Sequence, residues 1–180
     1  MVDPSDNTAG RCTVWGSSKT ASWCIVAEGI ETAAAIAYSF RPEIEKGSLF
    51  VAAAITANGI EAFRPSSPDL KIVIAADRDE AIKAGRRKAS LRGEEAARKL
   101  CVALADRNIS IVLPGSPGQS IDWLDVMLTD GVDRVREQIE GAERFVPTVE
   151  EMDSWREHSE RQAEIAVHRV ERIQNHRRRA

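Results

Sequence analysis

Cysteine is scarce: Cys12, Cys24 and Cys101 are the only three in 180 residues, an odd number at wide, unpatterned spacing. That excludes a disulfide framework and a cysteine-rich zinc module. Histidine is equally scarce, and His158, His168 and His176 all fall near the C-terminus. Their distance in sequence from the acids described below argues against a Ser-His-Asp or Cys-His device, and His158 and His168 read as surface residues. No apolar run approaches the roughly 18 residues of a membrane span. Met1-Val2-Asp3 opens no secretory signal, so no membrane association is expected and the cytoplasm is the expected location. No G-x-G-x-x-G follows a candidate strand and no G-x-x-x-x-G-K-[ST] occurs, which excludes the dinucleotide fingerprint and the P-loop ATPase. Aromatics make up 5% of the chain, with Tyr38 the single tyrosine. Cys24 and Cys101 read as core residues. Trp23 and Trp123 flank acid-bearing segments, and core packing or crevice lining would each suit them.

Against these absences, hydrophobic residues make up 43% and charged residues 29%, so the chain can bury a core. The net charge of -3, from 25 basic and 28 acidic residues, says little about partners. Its distribution says more. Seven Lys or Arg lie between Lys83 and Lys99, opposed only by Glu94 and Glu95, and the chain ends in a basic His176-Arg177-Arg178-Arg179 run. Such patches can meet a polyanion, or can simply be solvated helix faces.

Residues 1–20 carry Ser, Thr, Asp, Asn and Gly with weak periodicity and read as a flexible lead-in. Four short apolar runs follow: Trp23–Ala27, Ser48–Ala54, Lys71–Ala76 and Ile109–Leu113. Runs of this kind alternating with helical stretches describe a parallel sheet covered on both faces. The helical stretches are Ile30–Phe40, a long Ala/Lys/Arg/Glu segment reaching Ala105, and Ile121–Leu128, stopped near Gly131. Asn58–Asp69, with a glycine and two prolines, and Pro114–Gly118 read as irregular. Val149–Arg177 holds no Gly or Pro. Its apolar Met152, Trp155, Ala163, Ala166, Val167, Val170 and Ile173 recur at helical spacing, which predicts one long amphipathic helix. The expected fold class is therefore α/β. About four parallel strands over residues 21–131 are flanked by helices, and 132–180 form a helical extension. That extension either caps the sheet or docks on a partner.

In an open parallel sheet, ligands bind outside the carboxyl ends of the strands. Glu28 follows the first strand, Asp77 and Asp79 follow the third, and Asp122 and Asp125 follow the fourth. Converging carboxylates repel one another unless a cation offsets them. A set of oxygen donors without His or Cys suits Mg²⁺ or Mn²⁺. The competing reading is that single acids at these places are caps of the helices that follow.

Val26-Ala27-Glu28-Gly29-Ile30-Glu31-Thr32-Ala33 and Ile74-Ala75-Ala76-Asp77-Arg78-Asp79 together resemble the Toprim domain of bacterial-type primases, topoisomerases and some nucleases. Gly118-Gln119-Ser120-Ile121-Asp122-Trp123-Leu124-Asp125 is similar to its third acidic segment. The likeness covers about residues 20–131 and looks most like the primases of phages, plasmids and integrated elements. The resemblance implies a Rossmann-like Toprim fold. It also implies Glu28 as general acid or base and a metal ligand, and Asp77, Asp79, Asp122 and Asp125 as ligands of Mg²⁺ or Mn²⁺. It further implies nucleotidyl transfer that makes RNA primers on single-stranded DNA from nucleoside triphosphates. Members place a glycine three residues after the second Asp. Here a basic insertion, Lys83–Arg92, precedes Gly93-Glu94-Glu95-Ala96-Ala97. Its Lys83, Arg86, Arg87, Lys88 and Arg92 could give the crevice a positive lip for template or triphosphate. The zinc-binding module, basic subdomain and helicase of full primases are not seen, so a partner chain or a replicative helicase is expected. A Toprim nuclease and a non-catalytic nucleic-acid-binding or assembly module stand as alternatives. A topoisomerase would need a tyrosine nucleophile, and Tyr38 reads as a packing residue.

Overall fold

The computed structural model describes residues 12–65, 67–78, 92–116 and 119–177. The four apolar runs form strands β2 (Trp23–Ala27), β3 (Leu49–Ala53), β4 (Lys71–Ala75) and β5 (Ile109–Val112), all mutually parallel where they pair. The supposed lead-in supplies a fifth strand: β1 (Thr13–Trp15) pairs antiparallel with β3 at the sheet edge. Three residues with no fully buried side chain carry no periodic signal, so this strand exists only because β3 offers it an open edge. The order across the sheet is β1-β3-β2-β4-β5.

Between the strands lie helices α1 (Ile30–Ser39), α2 (Arg41–Glu45), α3 (Ala57–Ala62), α4 (Arg92–Ala103), α5 (Trp123–Asp130) and α6 (Val132–Glu140). Helix α3 falls in a stretch read as irregular. Thr56 starts it, its Oγ1 accepting the Gly59 amide at 3.0 Å. Gly59 allows the helix to lie against the end of β3, since a Cβ there would meet the Ala54 carbonyl oxygen at 2.0 Å. Residues 79–91 lie outside the described part, and α4 is described from Arg92.

One face of the sheet presents Ile25, Ala27, Val51, Ala53, Val73 and Ala75. These pack with Ala33, Ile36, Phe40, Trp123, Val126, Val135 and Ile139 of α1, α5, α6 and their margins. Alternation turns Cys24, Val26, Phe50, Ala52, Ile72 and Ile74 to the other face, on the side of α3 and α4. Cys24 and Cys101 are core residues, and burial pushes the Cys24 thiol well above its ordinary pKa, which leaves it unreactive. Tyr38 is not a packing residue: it is 65% exposed. Trp123 is core, whereas Trp23 sits half-buried at the start of β2, edge-on to Phe40 and under the Lys71 ammonium.

Helix α6, read as the start of the extension, belongs to the sheet-containing unit. Arg136 donates to both Glu43 carboxylate oxygens, at 2.7 and 3.0 Å, and to the Ser39 carbonyl, and lies over the Phe40 ring. That unit runs to Phe145, and a second unit, residues 146–180, holds α7 (Val149–Arg177). Thr148 and Glu151 open α7 with reciprocal side-chain-to-amide bonds. His158 and His168 lie on its exposed surface. Among the described residues, no helix is long and apolar enough to cross a membrane.

Candidate active site at the carboxyl edge of the sheet

The chain runs from β2 through α1 to β3 on one side, then crosses back over β2 to β4 and outward to β5. The direction of winding therefore reverses between β2 and β4, which opens a crevice outside their carboxyl ends. Ala27 pairs with Ala75 across these two strands. Glu28 and Asp77 thus leave the sheet one and two residues past a matched pair. With strands ~4.8 Å apart and a rise of ~3.3 Å per residue, continued strands would hold their Cα atoms within about 6 Å.

The two acids have different surroundings. Glu28 continues the alternation toward the α4 side, where its Oε2 lies against the first turn of α4 at Gly93. Its carbonyl accepts the Ile55 amide at 2.9 Å, and Ile55 takes φ 70°, a left-handed conformation that a β-branched residue rarely adopts. Asp77 continues the alternation toward the α1 side, and its Oδ1 accepts the Thr32 hydroxyl at 3.0 Å. Thr32 is one of few buried polar residues. Neither Thr32 nor Gly93 was expected to be a site residue from the sequence. The available signals were a hydroxyl on the inward face of an alanine-rich helix, and a glycine inside a run of good helix formers.

The third acidic segment is tied to the second by backbone. Arg78 and Ile121 exchange amide-to-carbonyl bonds at 3.1 Å each, and the Arg78 Nε donates to the Pro114 carbonyl. Trp123 adds an Nε1 bond to the Ala76 carbonyl at 3.1 Å. Asp122 and Asp125 are thereby brought to the same edge as Asp77. Their carboxylates, however, form the capping box of α5: Asp122 accepts the Asp125 amide at 2.8 Å and Asp125 accepts the Asp122 amide at 3.3 Å. Among the described residues, no three His, Cys, Asp or Glu side chains form a group that could hold a metal ion. Asp79 lies outside the described residues, as do Lys83, Arg86, Arg87 and Lys88, while Arg92 is the first residue of α4. Tyr38 lies eight residues beyond Ile30 on α1, roughly 12 Å along the helix from the crevice.

The sequence model of the Toprim domain matches residues 23–133, which takes in every one of these elements from β2 to the start of α6. Two solved structures resemble the fold. One is the RNA polymerase domain of the Mycobacterium tuberculosis primase DnaG, with 16% identity, a TM-score of 0.43, and 71% of this chain against 38% of that one. The other comprises the zinc-binding and RNA polymerase domains of the Aquifex aeolicus primase, with 19% identity, a TM-score of 0.41, and 69% against 27%. The chain thus spans well under half the length of either. No curated protein matches it in sequence.

Proposed function

The chain belongs to the Toprim family, and from that premise we propose that it is the catalytic Toprim part of a primase-like nucleotidyltransferase. The observation that carries the proposal is the emergence of Glu28 and Asp77 side by side at the one place where the sheet reverses its winding. The primase assignment within the family draws on the Glu28–Ala33 and Ile74–Asp79 motifs. The same motifs support a role in replicating a phage, plasmid or integrated element.

The donor set fits Mg²⁺ or Mn²⁺. Mg²⁺ keeps several waters and is held through one or two carboxylates plus substrate phosphates, so a three-carboxylate cage is not required. Asp77 and Asp79 would hold it, with Asp122, Asp125 and Glu28 as further ligands through water. A bound divalent ion would supply charge neutralisation for the triphosphate and alignment of its α-phosphate. Thr32 keeps the Asp77 carboxylate turned to one orientation by donating to Oδ1. The Glu28 carboxylate accepts the proton of the primer 3′-hydroxyl as that oxygen bonds to the α-phosphorus and pyrophosphate departs. Lys83, Arg86, Arg87, Lys88 and Arg92 would attract template or triphosphate by charge, a contribution that salt weakens. Single-stranded DNA and nucleoside triphosphates are the proposed substrates. A replicative helicase or a chain with the zinc-binding and basic subdomains is the proposed partner.

The test begins with Mg²⁺ and Mn²⁺ calorimetry on wild type and the Asp77→Asn/Asp79→Asn variant, with and without nucleoside triphosphate. Binding that requires both acids and tightens with triphosphate is expected, followed by dinucleotide synthesis on single-stranded template. Metal-dependent nicking without synthesis would move the assignment to a Toprim nuclease. Wild-type metal binding no tighter than the double variant's would leave a nucleic-acid-binding module.

A further inference from the structure

Gly93 occupies the first turn of α4, a position where the backbone makes no demand for glycine. The left-handed glycines of the described residues are Gly16, Gly47, Gly115 and Gly131, and Gly93 is not among them. Among the described residues, a Cβ built on it would meet the Glu28 Oε2 at 2.6 Å and the Glu28 Cδ at 3.9 Å. Among the described residues, the obstacle to a side chain at this buried position is the tip of one carboxylate. Glycine is a poorer helix residue than alanine. The fold itself would gain from a methyl group here.

We propose that Gly93 is a positioning residue for Glu28. The missing side chain lets the carboxylate seat against the α4 amino terminus, where first-turn amides have no intrahelical acceptor and the helix dipole favours an anion. Held there, Glu28 stays on the α4 side of the crevice, away from the Thr32–Asp77 pair on the α1 side, so the proton acceptor and the metal-holding acid keep separate places. A methyl group at position 93 would force Oε2 to move by about 0.8 Å to regain the 3.4 Å of ordinary contact. Because the displaced atom ends a flexible side chain, the fold absorbs this at little cost. A catalytic group misplaced by ~1 Å can lose up to about a hundredfold in rate.

The inference rests on the catalytic reading of Glu28, and the experiment separates the two. Gly93→Ala is expected to lower kcat for dinucleotide synthesis at least tenfold, with KM for nucleoside triphosphate within twofold and a melting temperature equal to or above wild type. Glu28→Asp draws the carboxylate back by one methylene and makes room for the new Cβ. Gly93→Ala should then cost less than threefold in a Glu28→Asp background. If wild type itself makes no dinucleotide, the catalytic reading fails, and the positioning claim is read on Glu28 directly. Its carboxyl ¹³C resonance, assigned by its loss in Glu28→Gln, must shift in Gly93→Ala. An unmoved resonance overturns the positioning claim. So does a loss of kcat that is equal in the Glu28 and Glu28→Asp backgrounds, or one that comes with a lowered melting temperature.

Discussion

Replacing Thr32 with valine isolates a single bond at the crevice. The side chain is buried, and valine matches its shape, so packing is conserved while the donor to Asp77 Oδ1 becomes a methyl group. A hydrogen bond to an ionised group contributes about 1.5–3 kcal/mol. Asp77 is half-exposed, so water takes over part of the lost interaction and the expected cost is about 1–2 kcal/mol. For a chain of this size each kcal/mol shifts the midpoint by about 2–4 °C, so thermal unfolding should fall by ~2–8 °C. Thr32→Ser keeps the donor and should lose less. In an Asp77→Ala background, Thr32→Val should cost almost nothing, because its partner is gone. On the proposed metal-holding role of Asp77, the hydroxyl also orients a ligand, and Mn²⁺ affinity should drop about ten- to a hundredfold. Thr32→Val melting with wild type, or costing as much without Asp77 as with it, would refute the reasoning.

Three further outcomes are expected. The Arg136 guanidinium, hydrogen-bonded to Glu43, holds that carboxyl below its ordinary pKa. The stability it adds is present above about pH 4.3, the unfolded value, and is lost as pH falls through the folded one. Glu43→Gln should flatten that acid limb by about 1 kcal/mol in pH-dependent urea unfolding; an unchanged limb would show the pair contributes nothing. Trp123→Phe leaves the Ala76 carbonyl without its indole donor and opens a void in the core, so a loss of about 2 kcal/mol is expected in chemical denaturation. Ile55→Gly relieves a left-handed β-branched residue whose strain is about 1–2 kcal/mol, partly offset by the entropy of the unfolded glycine. The variant should be equal to or up to ~1 kcal/mol more stable than wild type, and a clear loss would show that the isoleucine side chain outweighs the strain.

The unbroken apolar runs at Trp23–Ala27 and Ile72–Ala76 could be read as parallel strands because burial on both faces leaves no polar position in them. The tail helix was equally legible, since 29 residues without Gly or Pro repeat their apolar positions at one period. At the site, Glu28 and Asp77 stood out by following strand ends. Asp122 and Asp125 stood out for the same reason, yet in the fold they satisfy the α5 amides as a local cap, an alternative the sequence left open. Helix α3 was hidden by Gly59, whose helix-weakening presence answers to a close approach by the Ala54 carbonyl, a contact that neither propensity nor period encodes.

What the sequence by itself determined is what a few neighbouring residues can encode. Propensity, period and capping chemistry act over one turn or one strand, and they specified β2 to β5, α1, α5 and α7, the core cysteines, and acids at strand ends. Which strands lie side by side is a long-range matter, settled by the burial of whole faces and the direction of each crossover. Only the tertiary structure placed β4 rather than β3 beyond β2 on the side where winding reverses, and so set Glu28 beside Asp77. The same structure turned those two acids to opposite faces, one toward Gly93 of α4 and the other toward Thr32 of α1, because alternation continues past each strand end from register positions one residue apart.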